Sequence, residues 1–362
     1  MIKKLFLGLF LLFSLSGCSM NSGKQTELVF STWGSASELA TVKTIIRDFE
    51  LENPDIKIKL QHIPQNYFKK LHLQLASSSE PDVMLINNQV IPTYSEYLLS
   101  LNTVKTQDFY KNAIKALSYD NELKAIPRDV STLMIYYNKE LVSPQTGWSL
   151  EDLLKDGARL KAEKKFAIVL EPDLFYLYPF LMSFGEAPQT NTTENLFEQK
   201  GTKFFKSLSS DYHYAPLQYE LGMAMPLEFF LKSKSAYYLS GRWMYPKISE
   251  MAKFSFGTIE FPNGSIGNTV PCDASGWAVS NRSLHKEEAL RFINYLASKK
   301  SLEKMSKNGL IIPARASVAK SVENGNIFLK LAENSKVIEY PKQYDKYRDE
   351  INQLLKIESR KP

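Results

Sequence analysis

The sequence predicts an α/β protein of two domains, and three observations carry that reading. The chain has 362 residues, whereas a single hydrophobic core stops growing beyond roughly 250–300. Its composition is 44% hydrophobic, 12% aromatic and 23% charged, a globular balance that excludes disordered, collagen-like and disulfide-framework classes. Strand-like and helix-like runs alternate along it, as they do where helices cover a largely parallel sheet.

The first element is a leader. Met1-Ile2-Lys3-Lys4, the apolar run Leu5–Phe13 and the small-residue exit Ser14-Leu15-Ser16-Gly17-Cys18 read as a secretory signal. The run is shorter than the about 20 residues a bilayer-spanning helix needs. Leu15-Ser16-Gly17-Cys18 resembles the bacterial lipobox, which implies cleavage before Cys18 and acylation (palmitate) of its sulfur. On that reading residues 1–17 are a signal peptide and 18–26 a lipid-anchored tether, and the protein sits on the extracytoplasmic side of the cell membrane. An uncleaved anchor, or a secreted chain in which Cys18 is incidental, are the alternatives.

Leu28-Val29-Phe30 reads as a buried strand, followed by a turn at Thr32-Trp33-Gly34-Ser35. Leu39, Val42, Ile45, Ile46 and Phe49 are spaced as one face of a helix over 38–52, which Asn53-Pro54-Asp55 stops. Residues 56–60 alternate as a strand and 67–77 return as a helix. Val83–Ile86 is a continuous apolar run of the kind found in central parallel strands. This β-α-β-α-β order implies right-handed crossovers and a doubly wound lobe. Beyond it, 119–126 reads as a hairpin and 132–138 as a strongly β-prone run. Helices are expected over 150–162, 175–184, 194–208, 219–231, 286–297, 301–306 and 344–355. Strands are expected at 166–170 and 276–280 and an extended stretch at 311–313, with 236–239 lying between elements.

The formal net charge is +6 and the basic residues are spread along the chain, so nothing points to a nucleic-acid partner. Four histidines and two cysteines are too few for a structural zinc site of the usual kind, and no metal or cofactor is expected. If Cys18 is lipidated, Cys272 is left as a lone thiol, read as a small buried apolar residue. Phosphate-loop, dinucleotide, zinc-protease and serine-hydrolase motifs are all absent from the sequence. A glycosidase needs only two facing carboxylates, for which Glu171, Glu186, Asp129 and Asp173 are available. Each reads better as a helix cap or an acceptor of ligand hydroxyls.

Seven segments stand in order along the chain: Phe30-Ser31-Thr32-Trp33, Glu50 through Pro54-Asp55-Ile56, Glu80-Pro81-Asp82-Val83, Ala125–Asp129 with Leu133–Leu141, Gly241-Arg242-Trp243, Lys286–Ile293 and Ile312-Pro313-Ala314-Arg315. Taken together they resemble the extracellular solute-binding proteins of ABC importers, the family that includes maltose-binding proteins. The resemblance implies two doubly wound lobes joined by a multi-crossing hinge, a periplasmic-binding-protein-like fold with ligand held between the lobes. The chain would cross near Asp129–Thr132, Asp273–Gly276 and Pro313–Ser317. Lobe 1 would then be 27–129 with 276–313, and lobe 2 would be 130–275 with 314–362. It also implies a monomeric binding subunit, not an enzyme, that captures a sugar or oligosaccharide and delivers it to the transmembrane permease subunits. A secreted glycoside-processing enzyme, or a binder of a charged solute such as a polyamine or ferric iron, are the rival readings. Tyr237-Tyr238 is what raises iron, since phenolates are hard ligands, but paired tyrosines in a β-prone run also simply pack.

The expected ligand-binding residues are Trp33, Asn87, Asn88, Asp129, Glu171, Trp243 and Trp277. Trp33, Asn87, Asn88 and Glu171 follow strand ends, where α/β folds bind ligands. Trp33 is equally a candidate core anchor, Asn a common turn residue and Glu171 a candidate cap. Asp129 lies in the first crossing, able to serve ligand or hinge. The family resemblance makes Trp243 an aromatic platform for a sugar ring. Trp277 enters from a crossing, with burial in the sheet as its alternative, and Trp148 reads as structural.

Overall fold

A computed structural model describes residues 25–186, 193–222, 225–307, 311–322, 325–342 and 344–358. The expected signal peptide, Cys18 and all of the tether before Gln25 lie outside the described residues. The strands are β1 (Thr26–Thr32), β2 (Ile56–His62), β3 (Val83–Asn87), β4 (Ser118–Tyr119), β5 (Glu122–Leu123), β6 (Ile126–Asn138), β7 (Phe166–Val169), β8 (Ser235–Gly241), β9 (Phe256–Ile259), β10 (Pro271–Val279) and β11 (Lys336–Val337). Among the described residues, nine of them join in one sheet of order β2-β1-β3-β10-β6-β8-β7, with β11 added to β10 and β9 to β6.

The first three strands form the expected doubly wound unit, with β1 parallel to both β2 and β3. The helix Ala36–Glu52 starts at a capping box, in which Ser35 and Glu38 satisfy each other's backbone N–H groups and so supply partners to otherwise orphaned donors. Of the apolar stripe read from the sequence it buries Ile45, Ile46 and Phe49, while Leu39 and Val42, nearer its start, are only partly buried. The β4–β5 hairpin turns at Asp120 and Asn121, both with positive φ, the conformation that Asp and Asn tolerate best after glycine.

The thirteen residues of β6 join the two halves of the molecule. Its first part pairs antiparallel with β10 over Ile126–Thr132, and its second part pairs antiparallel with β8 over Leu133–Tyr137. A third segment lies against it, where Val130 N–H donates to Ile312 O and Ala314 N–H to Arg128 O, both at 3.0 Å. One buried cluster gathers β1–β3, the inner end of β10 and the helices Ala36–Glu52 and Lys286–Leu296. A second gathers β7, the helices Leu150–Ala162 and Leu174–Ser183, and Tyr344, Ile351 and Leu355. Residues of β6 and β8 enter both clusters.

Several expectations need correction. The helix expected over 194–208 is two, Thr193–Glu198 and Lys200–Ser210. Gln199 is extended between them, and the Glu186 carboxylate accepts the freed Lys200 and Gly201 N–H groups at 2.7 and 2.8 Å. The helix expected over 219–231 is also two, Gln218–Leu221 and Pro226–Leu231. Gly222, with φ +60°, ends the first and Pro226 opens the second, a punctuation that outweighs the apolar spacing. Residues 236–239 belong to β8, which is buried along its whole length. Residues 314–362 do not pack as one piece. Val318, Ala319, Leu329 and Ala332 pack in the first cluster, and the Asn112 side chain binds the carbonyls of Ala332, Glu333 and Ser335. Only after Ser335 does the chain reach the second cluster, through Tyr340 and the helix Tyr344–Glu358.

Candidate functional site

A cleft of about 580 Å³ opens where the two clusters meet, a volume in the range of small-ligand pockets. Its floor is one face of three adjacent strands. In the antiparallel register Asp273 lies opposite Ser131, while Ser275 lies opposite Asp129 on one side and Asn87 on the other. Alternation along each strand brings these five polar side chains to the same face, and all five line the cleft. The intervening Ala274, Val130 and Ile86 point the other way, into the first cluster.

The floor is partly internally satisfied. Asp129 accepts the Arg128 Nε–H at 2.6 Å, the Ser275 hydroxyl at 2.8 Å and the Ser275 N–H at 3.2 Å. Arg128 also stands 3.8 Å from Glu38. Asp273 differs: its Oδ1 is shut off from solvent without a hydrogen-bond partner. Burial pushes its carboxyl up to about 7, and the neighbouring Asp129 charge adds to the rise.

Aromatic side chains stand on both sides of this floor. Trp33 and Phe68 pack on the first cluster, and Trp243 and Phe175 belong to the second. Trp33 is half-buried and meets Tyr67 edge-on at 4.9 Å and Phe68 at 5.3 Å. Trp243, also half-buried, lies in the turn after β8, with its ring centroid 6.4 Å from that of Phe175. It can fold back there because Gly241 lacks a Cβ, which would sit 2.0 Å from the indole ring.

Of the expected ligand residues, the structure gathers Trp33, Asn87, Asp129 and Trp243 around this one cleft. It does not gather the other three. Asn88 is buried and spends its amide on β10, donating to Cys272 O at 3.1 Å and accepting from Ala274 N–H at 3.3 Å. Trp277 is 2% exposed, inside the first cluster; it lies two residues beyond Ser275, about 7 Å deeper along the strand. Glu171 lines a neighbouring cavity of about 680 Å³ beside Tyr238, because the chain turns at Pro172 and brings Asp173 to the cleft instead. Burial, and then the Asp173 charge, push the Glu171 carboxyl up to about 7. Asp173 also caps the helix Leu174–Ser183, accepting the Phe175 N–H at 2.8 Å.

Three cleft residues, Arg348, Asp349 and Asn352, come from the helix Tyr344–Glu358 and are not singled out in the sequence. Arg348 pairs with Asp349 at 3.1 Å and reaches across to the Gln89 side chain at 3.3 Å, and Asn352 donates to Asp173. Their i, i+1, i+4 spacing is visible in the sequence, but nothing there says that the face looks into a cavity. Asp273 carried a better signal, since Asp273-x-Ser275 is a polar alternation within the otherwise apolar run 270–279, whereas Ser131 is one of several polar residues in 128–132.

No histidine, cysteine or lysine among the described residues lines the cleft, and no group of three metal-ligating side chains occurs among them. Burial pushes the Cys272 thiol up to about 12, so it is not a reactive thiolate. Tyr237 packs on Trp148 and donates to Asp156 at 2.6 Å, a structural use of the pair considered for iron. Among the described residues, no helix is long and apolar enough to cross a membrane.

A protein-family model described as bacterial extracellular solute-binding protein matches residues 44–327. The chain belongs to that family. Among curated solute-binding relatives, the multiple sugar-binding protein of Streptococcus mutans is 26% identical over 326 residues, covering 80% of this chain and 76% of that one. The galactooligosaccharide-binding protein of Bacillus subtilis is 25% identical over 328 residues, covering 84% and 76%. In fold, the chain is similar to the GacH receptor of Streptomyces glaucescens, with a TM-score of 0.81 at 20% identity over 92% of this chain and 93% of that one. A substrate-binding protein of Listeria monocytogenes solved with cycloalternan gives 0.78 at 20% identity, over 92% and 94%. The periplasmic-binding-protein-like fold of this family member is thereby established.

Proposed function

We propose that this solute-binding protein is the sugar-capturing subunit of an ABC importer, a monomer anchored through Cys18 that hands its ligand to a membrane permease and catalyses nothing. The observation that carries the reading is the pairing of Trp33 and Trp243, one from each cluster, across a strand-borne polar floor. An indole stacks on the apolar face of a pyranose while amides, hydroxyls and carboxylates take its hydroxyls. The relatives named for sugars, and the solved neighbours holding acarbose and cycloalternan, support it. Closure about β6, β10 and the 311–315 segment brings the two aromatic sides onto the ligand together.

A polyamine cleft would need several carboxylates free to meet ammonium groups. Here Glu38 and Asp129 face Arg128, Asp349 is paired with Arg348, and Asp173 is held by Asn352 and a backbone N–H. Asp273 alone of the cleft acids keeps a buried oxygen, Oδ1, without a hydrogen-bond partner. The test is calorimetric titration of the purified protein with maltotriose, raffinose, acarbose and spermidine. Saturable 1:1 binding of a sugar with no product released is the expected result. Binding of spermidine alone, or turnover of a sugar that Asp129→Asn abolishes, overturns the reading. Cys18→Ser should move the protein from the membrane fraction to the soluble fraction, since stable anchoring requires more than one acyl chain. Its retention on membranes would discard the lipid anchor.

A further inference from the structure

We propose that Asp273 is the specificity-determining acceptor of the cleft, taking a hydroxyl hydrogen of the sugar on the floor, with Ser131 opposite it and Asn87 diagonal to it across β10. The inference rests on the sugar-binding reading and adds to it the residue that selects the ligand's donor pattern.

The argument begins with how the other floor groups are used. Asp129 is held by three donors, from Arg128 and Ser275, so its lone pairs are largely spent within the protein. Asp273 sits two residues before Ser275 on the same face and opposite Ser131, in the same cleft, yet its Oδ1 has no partner. Asn87 Oδ1 and Ser131 Oγ are likewise without a partner in the unliganded protein. A buried polar group left unpaired costs more than a made hydrogen bond returns, and unpaired groups are rare enough to need a reason. Three such atoms on neighbouring positions of one cleft floor share one reason if the ligand completes the set.

The chemistry required of the ligand follows from these groups. Asn87 Oδ1 can only accept, an ionised Asp273 can only accept, and the Ser131 hydroxyl can do either. The unit seated here must therefore present donors, and the ring hydroxyls of a sugar supply them. A sugar whose hydroxyl is missing or capped at this point leaves Asp273 unpaired in a closed cleft. Discrimination by loss of such a partner is far steeper than discrimination by size. The carboxyl's raised affinity for its proton is consistent with a group that has no donor until the ligand arrives.

The experiment uses the whole protein and three probes, maltotriose, raffinose and acarbose, titrated into wild type, Asp273→Asn and Asp273→Ala, with melting of each unliganded protein. For the sugar that wild type binds, both variants should lose tenfold or more in affinity, the effect of a hydrogen bond to a charged group. Unliganded Asp273→Asn should melt at or above wild type at pH 8, because the substitution removes a carboxylate whose charge burial and the neighbouring Asp129 disfavour. Equal affinity in wild type and variants overturns the inference and leaves the sugar reading standing. A lower melting temperature for Asp273→Asn also overturns it, because the carboxylate would then be holding the strands together. If wild type takes none of the three sugars while spermidine binds, the sugar reading fails and this inference fails with it.

Discussion

The two ends of β10 behave as different materials although they are one strand. In its first half Asp273 and Ser275 face the cleft, whereas Gly276, Trp277, Ala278 and Val279 are all buried. The change falls at a register shift between Ser275 and Gly276, where the facing strand carries the extra residue Arg128. Such a bulge re-aims side chains and ends one pattern of facing. Here it leaves Arg128 beside Asp129 in the cleft. It also lets Gly276 come so close to β6 that a Cβ would lie 2.5 Å from Ile126 O. The comparison shows why tryptophans near a hinge cannot be sorted by proximity in sequence. Trp277 is two residues from a floor group and structural, while Trp243 is far from it in the chain and on the cleft wall.

The largest effect should come from the buried end. Trp277→Ala empties a site that is 2% exposed, and removal of a buried aromatic of this size costs about 3–5 kcal/mol. Denaturant unfolding should show that loss, while sugar affinity of the folded fraction stays within threefold of wild type. A tenfold loss of affinity at unchanged stability would put Trp277 in the site and erase the distinction between the two ends.

The same contrast shows what the sequence could disclose. The first three strands and their helices were legible because each apolar period is long and each break carries Pro, Asn or a capping pair, as at Ser35–Glu38 and Asn53-Pro54. The site was legible where a strand end points straight at it, as at Trp33 and Asn87. It failed at Glu171, since the turn at Pro172 decides which of two acids faces the cleft. It failed again at Asn88, since alternation sends neighbours to opposite faces. Arg348, Asp349 and Asn352 were hidden because they are brought in by docking of the last described helix, a long-range event with no local mark.

The neighbouring cavity tests whether a perturbed carboxyl by itself marks the site. Glu171 there and Asp273 in the cleft are both pushed up to about 7. An acid whose folded value is raised favours the folded state in its protonated form. That contribution is fully present below its ordinary value, near 4.5 for Glu171, and is lost as pH rises through about 7. Glu171→Gln should therefore stabilise the protein at pH 8 by at most roughly 3 kcal/mol, with little change at pH 4. Melting curves between pH 4 and 8 should be flatter for the variant, and sugar affinity should be unchanged. Loss of affinity in Glu171→Gln would make the two cavities one site.

On the cleft wall, Trp243→Ala should weaken sugar binding tenfold or more, about 1.4 kcal/mol, because stacking on an exposed ring face is lost. Its unliganded melting temperature should fall by less than that of Trp277→Ala, since Trp243 is only half-buried. Titration and melting on the one variant check both. Unchanged affinity with a large drop in melting temperature would move Trp243 to the core and leave Trp33 as the platform.

The smallest effect concerns the last helix, where contacts are charged and partly solvated. Arg348 is paired with Asp349 at 3.1 Å and Asp345 at 3.5 Å, and touches Gln89 on the other side of the cleft at 3.3 Å. Partly exposed ion pairs contribute about 0–1 kcal/mol, and the contact to Gln89 is long for a hydrogen bond. Arg348→Ala should therefore reduce sugar affinity two- to fivefold, by removing a contact that bridges the two sides when the cleft is shut. The loss should shrink in high salt if the ion pairs carry it, and titration at low and high ionic strength reads that directly. A loss above tenfold that is indifferent to salt would mean that the guanidinium meets the sugar itself. The C-terminal helix would then be a third wall of the site, on a par with the strand floor.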